Sequence, residues 1–86
     1  MIPTQEIEIR VQTFLQREVF AAEVVIRPET DLIAAGFDSI SLVRLLLFIE
    51  TTYGFWIPER EITSDALRNL RTMAATVARL LNERKS

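Results

Sequence analysis

Gly36-Phe37-Asp38-Ser39-Ile40-Ser41-Leu42-Val43-Arg44-Leu45-Leu46-Leu47-Phe48-Ile49-Glu50 is the stretch on which the fold turns. It runs from a glycine, which permits a turn geometry other residues resist, through an Asp-Ser pair into an unbroken helical pattern. Both residue types of that pair accept hydrogen bonds from the free N–H groups of a first helical turn. A helix opened by Asp38 or Ser39 is expected to run to about Tyr53. Leu42, Leu45, Leu46, Ile49 and Tyr53 fit an inward face, and Ile40, Val43 and Leu47, at i, i+3 and i+7, fall on an adjoining one. That is more apolar surface than one core-facing stripe uses. Asp38 is the better cap, which leaves the Ser39 hydroxyl at the first helical position, exposed and open to covalent modification.

Upstream, Thr4 is a plausible N-cap after Pro3, and Ile7, Val11, Phe14, Leu15 and Val19 recur at helical spacing, so a first helix spans about 4 to 20. The segment Pro28-Glu29-Thr30-Asp31-Leu32-Ile33-Ala34-Ala35-Gly36-Phe37-Asp38 reads as a long ordered loop, under which Leu32, Ile33 and Phe37 should pack. Downstream, Gly54 stops the central helix and Phe55-Trp56-Ile57-Pro58 forms an extended anchoring connection. A short helix from Thr63 or Ser64 would carry Leu67. A last helix from about Leu70 to Glu83 has Met73, Val77, Leu80 and Leu81 on one side and Arg79 and Arg84 outside. No repeat and no convincing alternating strand pattern occurs. The expected class is all-α, with three main helices and a short one in a single domain of residues 1–86 whose core lies at about 5–82.

Eighty-six residues with a 49% apolar and 26% charged composition suit one small soluble globular domain. The net charge of -2 lacks the basic footprint of a nucleic-acid binder. The first thirty-five residues are net acidic and the last twenty-nine net basic. Arg79, Arg84 and Lys85, three of the six basic residues there, would sit favourably at the C-terminal end of a last helix dipole, so the asymmetry is weak evidence of any partner. Cysteine and histidine are absent. Their absence removes disulfides, thiol nucleophiles, serine–histidine pairs and nearly all zinc chemistry, so no metal site and no catalytic set is expected. Glu59 and Glu61 form a carboxylate pair with no base beside it, which is the mark of a charged loop. No apolar run approaches the ~20 residues of a membrane span, and the acidic N-terminus does not resemble a targeting peptide. A cytoplasmic monomer is expected.

From about residue 5 to 82 the chain resembles the acyl and peptidyl carrier proteins, small four-helix proteins that bear a phosphopantetheine arm. Asp31-Leu32 followed by Gly36-Phe37-Asp38-Ser39-Ile40 is similar to the family's attachment motif. Tyr53-Gly54-Phe55-Trp56-Ile57-Pro58 is similar to the segment closing its second helix, and Leu70 to Val77 resembles its fourth. The resemblance implies that a separate phosphopantetheinyl transferase, using magnesium, attaches the arm from coenzyme A to Ser39. The arm's thiol then holds an acyl or aminoacyl group as a thioester while partner enzymes do the chemistry. Asp38 would be either a plain N-cap or also the acidic neighbour that positions the metal during attachment.

The same resemblance makes Ile40, Val43, Arg44, Leu47 and Phe48 the contact set for successive partners, since exposed apolar patches tend to mark partner sites. A helix from Ile40 to Ile49 whose one charge is Arg44 departs from the acid-rich helix of fatty-acid synthase carriers. It looks more like aminoacyl, peptidyl and D-alanyl carriers or stand-alone carriers of specialised biosynthesis. The partners expected are the transferase, a ligase that loads an acyl or aminoacyl group, and a downstream acyltransferase or synthase, with no nucleic acid and no membrane. The rival expectation is an unmodified helical interaction module using the same face.

Overall fold

The computed structural model describes the backbone of residues 2–85 and the side chains of residues 2–83. Its elements in chain order are α1 (Thr4–Phe14), which runs on as a π-helical turn (Leu15–Val19), α2 (Leu32–Ala35), α3 (Ser39–Tyr53), a 3-10 turn (Glu59–Glu61) and α4 (Leu70–Lys85). Among the described residues there is no strand. The all-α expectation holds, with three long helices.

Apolar spacing builds the core. Ile7, Val11 and Leu15 recur at four-residue steps on α1 and its π turn and are fully buried, as one helix face requires. They face α4, the helix α1 packs on most closely. On α4, Leu70, Met73, Ala74, Val77, Ala78 and Leu81 are buried, and the two alanines keep that side thin. Leu45, Leu46 and Ile49 of α3 complete the core, with Leu42 and Tyr53 half-buried at its edge. Phe55 and Ile57 are buried around the exposed Trp56, so the connection after α3 alternates as an extended anchoring segment should.

The chain ends its helices by specific chemistry. Asn69 Oδ1 accepts from the Thr72 N–H at 2.9 Å while Thr72 Oγ1 accepts from the Asn69 N–H at 3.2 Å, a reciprocal cap that starts α4. Gly54, left-handed at φ 76°, ends α3. Thr4 is not a cap: Pro3 holds the N-cap position in an extended conformation, and its carbonyl accepts from Glu6 and Ile7. Proline has no N–H to lose at a helix start, so Thr4 becomes the first helical residue.

Three further expectations are corrected. The segment after Pro28 is not all loop, because Asp31 caps a four-residue helix by accepting from the Ala34 N–H at 3.1 Å. Ile33 does not pack beneath it but is 60% exposed, since the turn that buries Leu32 and Phe37 places it on the opposite side. The region from Thr63 makes no helix. Thr63 Oγ1 accepts from the Ala66 N–H and its carbonyl from the Leu67 N–H, closing a single turn that leaves Leu67 half-buried against the core. Arg79 lies outside as expected, paired with Glu61 and Glu83, whereas the side chains of Arg84 and Lys85 fall outside the described residues.

The long connection between α1 and α2 is fastened from both sides. Gln16 grips it with its whole side-chain amide, donating to the Val24 carbonyl at 2.6 Å and accepting from the Ile26 N–H at 3.0 Å. Gln12 donates to the Ile26 carbonyl at 2.6 Å, and Ile26 itself is buried. On the far side, the Leu32 N–H donates to the Arg68 carbonyl at 3.1 Å and the Arg71 N–H to the Pro28 carbonyl at 3.0 Å. The second of these satisfies one of the free donors at the start of α4.

The two faces of α3 should differ in energy. Leu45→Ala and Ile49→Ala each remove a side chain from the closed core and are expected to cost about 2–5 kcal/mol in chemical denaturation. Leu47→Ala, on a half-exposed side chain, should cost far less. Equal losses at all three positions would contradict the division.

Candidate functional site

The approach to α3 is a tight reversal. Gly36, at φ 115°, ends α2 in the left-handed region, where a side chain is strained. The Phe37 N–H donates back to the Leu32 carbonyl at 2.8 Å and the Gly36 N–H to the Ile33 carbonyl at 3.1 Å. Phe37 drops into the core at 4% exposure. With that ring anchored, the chain leaves outward and Asp38 takes the N-cap of α3 in an extended conformation.

Asp38 Oδ1 accepts two hydrogen bonds from one residue, the Ser41 backbone N–H at 2.9 Å and the Ser41 hydroxyl at 3.0 Å. The Ser41 N–H first, and then its hydroxyl, hold the Asp38 carboxyl below the usual aspartate range. Because Asp38 does the capping, Ser39 is left at the first helical position, exposed, and its hydroxyl makes no hydrogen bond within the described structure. The order expected from the sequence, with Asp38 capping and Ser39 free, is the one observed.

A hydroxyl in this place fits a phosphoester-linked arm on structural grounds. It is accessible, it takes no part in holding the helix, and an anionic phosphate on it would stand at the positive end of a fifteen-residue helix. Asp38 is the acidic side chain beside it. Among the described residues no group of three or more His, Cys, Asp or Glu is arranged to hold a metal ion.

Ile40, Val43 and Leu47 of the expected contact set stand in the open, at 69%, 53% and 52% exposure, and form a stripe along α3 leading away from Ser39. The other two members are engaged. Phe48 is half-buried and stacks on Phe14 of α1, ring centroids 4.4 Å apart at 14°, so it turns into the α1–α3 seam instead of joining the stripe. Arg44 is exposed, but its Nη1 donates to the Glu18 carbonyl at 2.7 Å. The π turn explains that bond: the last carbonyls of a helix lack partners within it, and a basic side chain from the neighbouring helix supplies one. Ser41 is a site residue that the sequence expectation does not include. The signal was present, since Asp38 and Ser41 stand three apart, the spacing of reciprocal capping pairs.

The chain is similar in sequence and in fold to known proteins. The family described as "Phosphopantetheine attachment site" matches residues 7–77. Aminoacyl carrier protein 1 of Bradyrhizobium diazoefficiens is 31% identical over 67 residues, 78% of this chain and 72% of that protein. Aminoacyl carrier protein 2 of the same organism is 32% identical over 63 residues, 73% of this chain and 68% of that one. Among solved structures, a chain in the crystal structure of Bradyrhizobium japonicum glycine:[carrier protein] ligase complexed with glycylated carrier protein superposes with a TM-score of 0.65 at 26% identity, over 85% of this chain and 96% of that one. A chain of the same ligase complexed with its cognate carrier protein and an analogue of glycyl adenylate gives 0.67 at 26% identity, over 88% and 96%.

The cap makes the start of α3 sensitive to acid. A carboxyl held below its unfolded value stabilises fully above that value, and the stabilisation is lost as pH falls through the folded one. Thermal melts are therefore expected to show an Asp38-dependent loss beginning near pH ~4 and continuing below it. Asp38→Asn, which still accepts at the N-cap, should keep the helix start and lose that acid component. Identical acid profiles for the two proteins would show that Asp38 does not couple to folding.

Proposed function

The chain belongs to the phosphopantetheine-attachment family, whose members carry a covalent phosphopantetheine arm and leave the chemistry to partner enzymes, and from this we propose that it is an aminoacyl carrier armed at Ser39. The observation that carries the assignment to Ser39 is its exposed, unbonded hydroxyl at the head of α3, kept free because Asp38 caps through Ser41. In the attachment step the Ser39 oxygen forms a new bond to phosphorus. The pyrophosphate bond of coenzyme A breaks, the nucleotide half leaves, and the serine proton passes to a base on the transferase. The bound arm supplies a thiol that holds cargo as a thioester. Ser39 anchors it, Asp38 stands beside the reacting oxygen, and α3 presents both.

Glycine or a similarly small amino acid is the cargo best supported, because the solved relatives are complexes of a glycine:[carrier protein] ligase, one of them with a glycylated carrier. The stripe Ile40, Val43 and Leu47 is the docking face for that ligase, with Arg44 at its margin as the charge that selects it. A small patch suits an encounter that has to release. An aminoacyl group held this way serves a biosynthetic step, in our reading one of specialised metabolism. A downstream acyltransferase or synthase takes the cargo, and the carrier works as a cytoplasmic monomer, a single domain with its core at about 5–82.

Coexpression with a permissive phosphopantetheinyl transferase should raise the intact mass by one phosphopantetheine unit, and Ser39→Ala should abolish the rise while the protein stays folded. Modification at Ser41 or Ser64 refutes the assignment to Ser39, and an unmodified protein with several active transferases refutes it and leaves the interaction-module reading.

Partner choice has its own test. Leu47→Asp should slow loading by a glycine:[carrier protein] ligase without preventing arm attachment. Arg44→Glu should do the same by turning attraction into repulsion, with rising salt weakening wild-type loading and partly rescuing the variant. Arg44→Gln, two bonds too short for the Glu18 carbonyl, loses the structural tie as Arg44→Glu does and so isolates the charge. If Gln and Glu at position 44 load equally well at low salt, the charge has no part in recognition.

A further inference from the structure

Among the described residues Ser41 is the one buried polar side chain, 8% exposed, and both its donors are directed at a single atom, Asp38 Oδ1. Capping requires only the backbone donor, at 2.9 Å. That bond alone leaves a carboxylate free to tilt about its terminal torsion. The hydroxyl at 3.0 Å adds a second donor on the same oxygen, which restricts that tilt and so the direction in which the other oxygen points. Oδ2 is then left outside both bonds, on an exposed residue adjoining Ser39. A buried hydroxyl is costly unless bonded, and at this depth an alanine would pack without that requirement. What the hydroxyl adds is the orientation of its neighbour.

Resting on the reading that Ser39 accepts the arm, we propose that Ser41 is a positioning residue for attachment: it restrains the Asp38 carboxylate so that the transferase meets its outer oxygen, Oδ2, held in one direction on the residue next to Ser39. Such an oxygen suits the magnesium ion of the transfer. That ion keeps most of its water, demands strict geometry, and is held by one or two carboxylates together with the phosphates of the substrate. Groups that orient a metal-facing carboxylate from behind are worth on the order of 10–100-fold in affinity or rate. Ser41 touches neither coenzyme A nor Ser39 in this role and acts through Asp38 alone.

The test uses the full chain in its arm-free form with coenzyme A, magnesium and a purified transferase, following attachment by mass. Ser41→Ala should slow attachment on the order of tenfold, mainly in kcat, because the docking stripe is untouched. Ser41→Thr, which keeps the hydroxyl, should restore most of the rate. In an Asp38→Asn background Ser41→Ala should add almost nothing, since the group it acts through has already been changed. The Asp38 carboxyl carbon gives a readout without any enzyme: its titration, followed by NMR, should move up toward the ordinary aspartate range in Ser41→Ala and stay in place in Ser41→Thr. A wild type armed at Ser39 together with a Ser41→Ala variant that keeps pace overturns this proposal alone. An equal further loss in the Asp38→Asn background also overturns it. A wild type that accepts no arm at Ser39 overturns the carrier reading, and this proposal with it.

Discussion

The Phe37 N–H bonded to the Leu32 carbonyl, with the Phe37 ring sunk in the core, is the joint on which the rest of the structure depends. It closes α2 and aims α3 within four residues. Gly36 makes the reversal possible because its left-handed backbone carries no side chain to strain. Once the ring is fixed, Asp38 has one direction in which to leave. The first turn of α3 therefore emerges at the surface with Ser39 outward and Ser41 inward. A slip of two residues here would carry Ser39 into the buried position that Ser41 holds.

Such a joint is useful only if the chain leading to it is held, and the connection from Phe20 to Asp31 is held by amide side chains and backbone in place of regular structure. The clasp of Gln16 on Val24 and Ile26 imitates the paired bonds of a sheet edge, with one side chain acting as the second strand. The bonds to Arg68 and Arg71 tie the other flank to the start of α4. Buried backbone polar groups have to find partners, and here they find them in glutamines of α1 and the free N–H groups of α4. The result is a handle on a fixed mount, as a carrier requires when its arm, and not its body, does the travelling.

The two faces of α3 divide the work. Leu45, Leu46 and Ile49 close the core, while Ile40, Val43 and Leu47 remain open along the helix that begins at Ser39. Arg44 lies between the stripe and the α1–α3 seam, and its bond to the Glu18 carbonyl gives one side chain two duties. It finishes the π turn of α1 and leaves a positive charge at the margin of the exposed apolar stripe. Phe48 contributes to the seam alone, through its stack on Phe14.

Local chemistry made much of this legible from the sequence. The periodicity of Ile7, Val11 and Leu15, of Leu45 and Ile49, and of Met73, Val77 and Leu81 declares three helices and their inward faces, because helical spacing converts directly into a side. The order Gly36, Asp38, Ser39 declares a turn, a cap and a free hydroxyl, because each residue type has a backbone or hydrogen-bonding preference of its own. What the sequence withheld were outcomes of competition between distant groups. Ile33 looks as apolar as Leu32, and only the reversal at Gly36 decides which of them is buried. Phe48 looks like a contact residue until Phe14 arrives from a helix more than thirty positions away. The clasp of Gln16 and the tie of Arg44 to Glu18 satisfy backbone groups whose partners lie 8 to 26 residues apart. No local preference encodes such pairings, because each exists only after packing has brought a free donor to a free acceptor.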